Sequence, residues 1–110
     1  MNVGDYVRTN DGYIYKIKKI PTEYKIIVDA KSLFGEELEI QNNEIIKSSP
    51  NIIDLIEVGD YVNGEKVVDK YDYIIAFDGG QDGNWYIRDD EIKSIVTKEQ
   101  FESMEYKVGE

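Results

Sequence analysis

The chain has 110 residues, 41% of them hydrophobic, which is enough apolar material for one compact domain or two very small ones. Cysteine and histidine are both absent, excluding disulfides, thiolate nucleophiles, cysteine-ligated zinc and the commonest general base. Asp and Glu number 23 against 13 Lys and Arg, and the resulting formal charge of −10 repels phosphate backbones and anionic lipid, so neither nucleic acid nor membrane is an expected direct partner.

In chain order, the first signal is Val3-Gly4-Asp5-Tyr6-Val7, which returns unchanged as Val58-Gly59-Asp60-Tyr61-Val62. A second pattern follows the first in each half. Ile40-Gln41-Asn42-Asn43-Glu44-Ile45 matches Ile87-Arg88-Asp89-Asp90-Glu91-Ile92 as apolar, polar, two Asn or Asp, then Glu-Ile. Two signatures in the same order imply an internal duplication into units of about 50 residues. The boundaries expected from it are residues 1–50 and 51–110, with Ser48-Ser49-Pro50-Asn51 as the linker-like stretch.

Period two dominates within each half. Tyr24, Ile26 and Val28 alternate with Lys25, Ile27 and Asp29; Leu38 and Ile40 alternate with Glu37, Glu39 and Gln41; Tyr71, Tyr73, Ile75 and Phe77 alternate with Asp72, Ile74, Ala76 and Asp78. Each run predicts a strand. Asn10-Asp11-Gly12 and Asn63-Gly64 predict hairpin turns, the latter a type I′ turn with both central residues at positive φ. The Gly-Asp of the repeated motif supplies a flexible turn residue and a carboxylate able to accept a nearby backbone N–H. Ile45-Ile46-Lys47 and Ile92-Lys93-Ser94-Ile95-Val96 are the expected last strands. Thr97 with Gln100 fits a capping box, Glu99 sits in the first turn, and Phe101 and Met104 share a face, so one short helix is expected over about 98–104. Tyr106-Lys107-Val108 is a candidate returning edge strand.

An apolar residue, Gly-Asp, a Val-containing strand, a Gly-containing hairpin and a second strand resemble the opening of small SH3-like barrels. The fold class implied is mainly β: two SH3-like barrels from the duplication, packed together, with one short C-terminal helix. The second half, from Ile53-Asp54-Leu55-Ile56 through the repeated motif to Ile95-Val96-Thr97-Lys98-Glu99-Gln100-Phe101, resembles small uncharacterised proteins of phages and prophages of Gram-positive bacteria. That resemblance implies no catalytic residues.

No credible catalytic set emerges, and the expectation is a non-enzymatic protein without cofactor or metal. Asp78-Gly79-Gly80-Gln81-Asp82-Gly83-Asn84 partly matches a calcium loop, but Gly80 stands where a ligand is needed and Asp89 where the loop wants a bidentate Glu, so it reads as a hairpin loop. Charge is the better guide. Residues 1–55 carry 9 acidic and 7 basic side chains, net −2; residues 56–110 carry 14 acidic and 6 basic, net −8. The candidate partner-binding residues are Asp78, Asp82, Trp85, Tyr86, Asp89, Asp90 and Glu91, a surface of carboxylates and aromatics, joined by Tyr71, for a basic partner. The function expected is an acidic phage-type inhibitor, of the anti-CRISPR or another counter-defence kind. It would occupy the basic nucleic-acid-binding surface of a host protein, such as a defence nuclease, as a monomer or homodimer. The alternative is a small structural or accessory phage protein that self-associates or binds virion components through strand edges. No apolar run approaches the roughly 18 to 20 residues that span a bilayer and the first residues lack signal-peptide character, so the expected location is the cytoplasm of the bacterial host.

Overall fold

The computed structural model describes residues 1–29 and 37–104, and the chain divides into two compact units, Met1–Leu55 and Ile56–Glu110. It is mainly β, with two five-stranded sheets, one of them curled into a half-barrel, and one short C-terminal helix. The first unit contains β1 (Tyr6–Thr9), β2 (Ile14–Thr22), β3 (Lys25–Asp29), β4 (Glu37–Gln41) and β5 (Ile45–Ser49). In the second unit lie β6 (Tyr61–Val62), β7 (Glu65–Tyr71), β8 (Ile74–Phe77), β9 (Trp85–Arg88), β10 (Ile95–Val96) and the helix α1 (Lys98–Met104).

Both sheets are ordered the same way. The first runs β4-β3-β2-β1-β5 and the second β9-β8-β7-β6-β10, with every pairing antiparallel. In each, one long strand serves both halves of the sheet, β2 in the first and β7 in the second. It shifts register just after a core residue: Ile17 opposes Val28 before the shift in β2, and Val67 opposes Phe77 before the shift in β7. Such irregularities add twist and let one strand turn from one ribbon into the next. Pro21, which has no ladder donor, lies in the irregular exposed end of β2.

Val7, Ile17, Ile26, Val28 and Ile40 make the core of the first unit. Val62, Val67, Ile75, Phe77 and Ile87 are all buried in the second, where Phe77 lies opposite Val67 and Ile75 opposite Ile87. Ile56 and Ala76 are buried in the second unit as well. Removing each large apolar side chain from water contributes about 1.5–3 kcal/mol, so each unit has a small core that depends on its hydrogen-bonded ends. After the last strand, the first unit adds a 3-10 turn, Ile52–Leu55, that packs against β1 and β5 and buries Ile53 and Leu55. Arg8 is fully buried, and its Nη1 donates to the Leu55 carbonyl at 2.9 Å.

Turn chemistry follows the sequence closely. Asn63 (φ 53°) and Gly64 (φ 83°) form the two-residue type I′ turn between β6 and β7. Thr9 and Tyr13 close a three-residue loop over Asn10–Gly12, with Gly12 at φ 90°. The capping box is reciprocal: Thr97 N–H donates to Gln100 Oε1 at 3.2 Å and Gln100 N–H donates to Thr97 Oγ1 at 3.2 Å.

Three expectations differ from the structure. The alternation over Tyr71–Phe77 predicts one strand, but Tyr71 pairs with Ile74, and Asp72-Tyr73 is a turn that divides it into the end of β7 and all of β8. Ser48 and Ser49 belong to β5, opposite Val7 and Tyr6, because a strand paired to a central neighbour continues through polar residues on its exposed side. The strand expected over Ile92–Val96 is reduced to Ile95–Val96, since Lys93 and Ser94 spend their N–H groups on the Asn63 side chain. The edge strand expected at Tyr106–Val108 lies outside the described residues.

Candidate functional site

The charged region of the second unit is organised around β9. It is entered from a tight coil whose backbone is set by glycine. Asp78 Oδ1 accepts the Gly80 N–H at 2.8 Å, and the Gly83 N–H donates back to the Gly80 carbonyl at 3.1 Å. Gly80 and Gly83 are at φ 67° and 82°, and a Cβ on Gly79 would stand 1.9 Å from the Gly83 carbonyl oxygen. Asp82 lies in the 3-10 turn Gly80–Asp82 within this coil. The coil delivers Trp85 onto Phe77, ring centroids 4.4 Å apart and planes 27° apart, with Trp85 still 41% exposed.

Strand alternation then separates the two aromatics that the sequence sets side by side. Trp85 pairs with core-facing Phe77, whereas Tyr86 pairs with Ala76 on the opposite, outer face. The outer face carries a different partner for Tyr86. Its ring lies 6.4 Å from that of Tyr71, tilted by 48°, and the Tyr71 hydroxyl donates to Asp69 Oδ2 at 3.0 Å. That hydrogen bond and the carboxylate's charge raise the Tyr71 phenol above its ordinary value. Asp69 was not legible as a member of the site from composition; its signal is only the two-residue spacing to Tyr71, which places both on one face.

At the far end of β9, Asp89, Asp90 and Glu91 form one 3-10 turn, all three exposed. The Arg88 N–H donates to Glu91 Oε1 at 3.3 Å. Asn63 pins the turn from across the unit: its Nδ2 donates to the Glu91 carbonyl at 2.9 Å, and its Oδ1 accepts the Lys93 and Ser94 N–H groups at 2.7 and 3.1 Å. Asp89 and Asp90 are left on a rigid support. Of the sequence-derived residues, Asp89, Asp90 and Glu91 are brought together in the turn that follows β9, three to five positions after Tyr86; Asp78 lies at the other end of β9, and Trp85 faces away from Tyr86.

The first unit has its own acid-lined recess, about 220 Å³, between the Thr9–Asp11 turn, Tyr15, β4 and Glu44. Its carboxylates are engaged by their own unit. Asp11 accepts the Thr9 hydroxyl, Glu44 accepts the Gln41 N–H at 3.3 Å, and Glu39 pairs with Lys25 at 2.7 Å. Burial, aided by the nearby Asp11 charge, pushes the Tyr15 phenol up. No known protein family, characterised protein or solved structure matches the chain.

Proposed function

We propose that the chain is a tandem pair of SH3-like units from an internal duplication, and that it acts as a non-enzymatic, phage-type inhibitor binding a basic protein surface through its second unit. Support for the duplication comes from the shared strand order and from the five core positions, which pair off as Val7 with Val62, Ile17 with Val67, Ile26 with Ile75, Val28 with Phe77 and Ile40 with Ile87. Hydrogen bonds repeat too: Gly4 N–H donates to the Ile17 carbonyl and Gly59 N–H to the Val67 carbonyl, both at 2.9 Å. A long second strand shared by two ribbons and a 3-10 turn before the fifth strand support the SH3-like reading.

The observation that carries the function is β9, an outer strand with exposed aromatics and an exposed carboxylate beyond each of its ends, Asp78 before it and Asp89 and Asp90 after it. With a net charge of −8 over residues 56–110, this half attracts a cationic surface over the roughly 8 Å reach of physiological salt. A nucleic-acid channel of a bacterial defence nuclease, in the cytoplasm of the host, is the partner class that fits.

The test is DNA cleavage by a panel of RNA-guided nucleases, with and without the protein. Inhibition is expected for at least one, with association slowing as salt rises. Replacing Asp89, Asp90 and Glu91 with Lys should abolish it, whereas replacing Asn42, Asn43 and Glu44 should not. The outer strands β4 and β9 favour the second reading, a self-associating accessory protein. No inhibition at low salt together with a concentration-dependent oligomer would put that reading first.

A further inference from the structure

We propose that the outer face of β7, β8 and β9 is an arginine-recognition platform formed by Tyr71, Tyr86 and Asp69. This rests on the reading that the second unit engages a basic protein, and it names the side chain that is taken. Asp69, Ala76 and Tyr86 lie in one row across the three strands, and Tyr71 follows in the next row opposite Ile74. Ala76 is fully covered, yet Tyr71 and Tyr86 stay 52% and 53% exposed. The two rings therefore form a raised aromatic surface over a closed floor.

Asp69 completes it. Its Oδ1 accepts the Lys70 N–H at 2.8 Å and its Oδ2 accepts the Tyr71 hydroxyl, so the carboxylate is held in place beside the ring. A carboxylate has about four acceptor sites, and two of these remain for an incoming donor. A planar guanidinium can stack flat on an aromatic ring while its fixed in-plane N–H groups reach a neighbouring carboxylate; a lysine ammonium, a strongly hydrated point charge, has no flat face to stack and no fork to match the carboxylate. Exposed Asp72, Asp78, Asp89 and Asp90 extend the negative field around the patch.

The strand pairing does not require this surface. At the matching row of the first unit stand Lys19, Ile27 and Glu39, a cation in place of Asp69 and no aromatic at all. The same sheet order is thus built with and without the platform. Arg88 shares the face, opposite Ile74 in the Tyr71 row, and its charge opposes an incoming cation.

The experiment is a titration of isotope-labelled full-length protein with nona-arginine and nona-lysine peptides at low salt, followed by amide chemical shifts. Nona-arginine should perturb Tyr71, Ala76 and Tyr86 and bind roughly tenfold more tightly than nona-lysine. Asp69→Asn and Tyr86→Ala should each remove most of that preference without shifting the melting temperature by more than a few degrees, and Arg88→Gln should strengthen binding. Equal affinity for the two peptides, with shifts confined to Asp89–Glu91, would overturn the platform while leaving the acidic-face function intact. Failure of both peptides to bind the folded protein would overturn the two together.

Discussion

Asp60 and Asp5 occupy the same place in the repeated Val-Gly-Asp-Tyr-Val motif, but their carboxylates do different jobs. Asp60 is fully buried; its Oδ2 accepts the Glu57 N–H at 2.7 Å and its Oδ1 accepts the Lys98 N–H at 2.9 Å. The second bond satisfies a donor at the start of α1 from a residue 38 positions away. Above the same junction, Lys98 Nζ pairs with Glu57 Oε1 at 2.7 Å. Asp5 is only half-buried and accepts the Asn2 N–H at 2.9 Å. Hydrogen bonds to a charged group contribute about 1.5–3 kcal/mol each, and part of this is offset by relief of the buried charge when the carboxylate is removed. Asp60→Ala should therefore cost about 3 kcal/mol and Asp5→Ala about 1 kcal/mol. For a unit of this size the difference of about 2 kcal/mol corresponds to roughly 10 °C in melting temperature. Trp85, the only tryptophan, reports the second unit by its fluorescence, while backbone circular dichroism follows both. Asp60→Asn, which keeps one acceptor oxygen, should fall between wild type and Asp60→Ala. Equal losses at Asp5 and Asp60 would refute the assignment of Asp60 as the residue that ties α1 to the sheet.

Three further outcomes are expected. Gly79→Ala forces the coil before β9 open, because its Cβ collides with the Gly83 carbonyl; a loss of about 1–3 kcal/mol and a red shift of Trp85 emission should follow, and an unchanged spectrum would mean the coil does not set the ring. Trp85→Ala should cost about 2 kcal/mol by chemical denaturation, below the range of about 3–5 kcal/mol for a fully buried aromatic, while Tyr86→Ala on the outer face should cost less than about 1 kcal/mol. Because the Asp69 hydrogen bond favours the neutral Tyr71 phenol, its stabilising effect is present below the ordinary tyrosine range and lost as pH rises through the raised value; Asp69→Asn should bring Tyr71 ionisation down toward ordinary tyrosine in a tyrosinate absorbance titration.

Features decided by near neighbours in the chain were legible in the sequence. The Asn63-Gly64 turn and the Thr97–Gln100 capping box follow from the φ preferences and side-chain reach of residues at most three positions apart. The carboxylate cluster Asp89-Asp90-Glu91 was legible for the same reason. What stayed hidden depends on partners brought together by folding. Nothing local marks Arg8 as buried, since its acceptor is the Leu55 carbonyl, nor Asp60 as an anchor for the helix. Tyr71 and Phe77 read as one alternating strand because a two-residue turn at Asp72-Tyr73 preserves the period of two on either side. Trp85 and Tyr86 read as one aromatic patch until strand pairing assigns each to its face.

The adjacency of first and last strands in each sheet sets an order of events in time. β1 meets β5 by pairing Tyr6 with Ser49, and β6 meets β10 by pairing Tyr61 with Val96, whereas β2, β3 and β4, or β7, β8 and β9, each meet the strand next in sequence. Closing a segment of some 40 residues costs about 3 kcal/mol of chain entropy before any contact offsets it. The meanders are therefore the early structure, and the closing pair is the slow step of folding and the earliest to open in the native state. Amide hydrogens along β1–β5 and β6–β10 should exchange sooner than those along β2–β3 and β7–β8, which makes the strand bearing the repeated motif the gate through which each unit unravels.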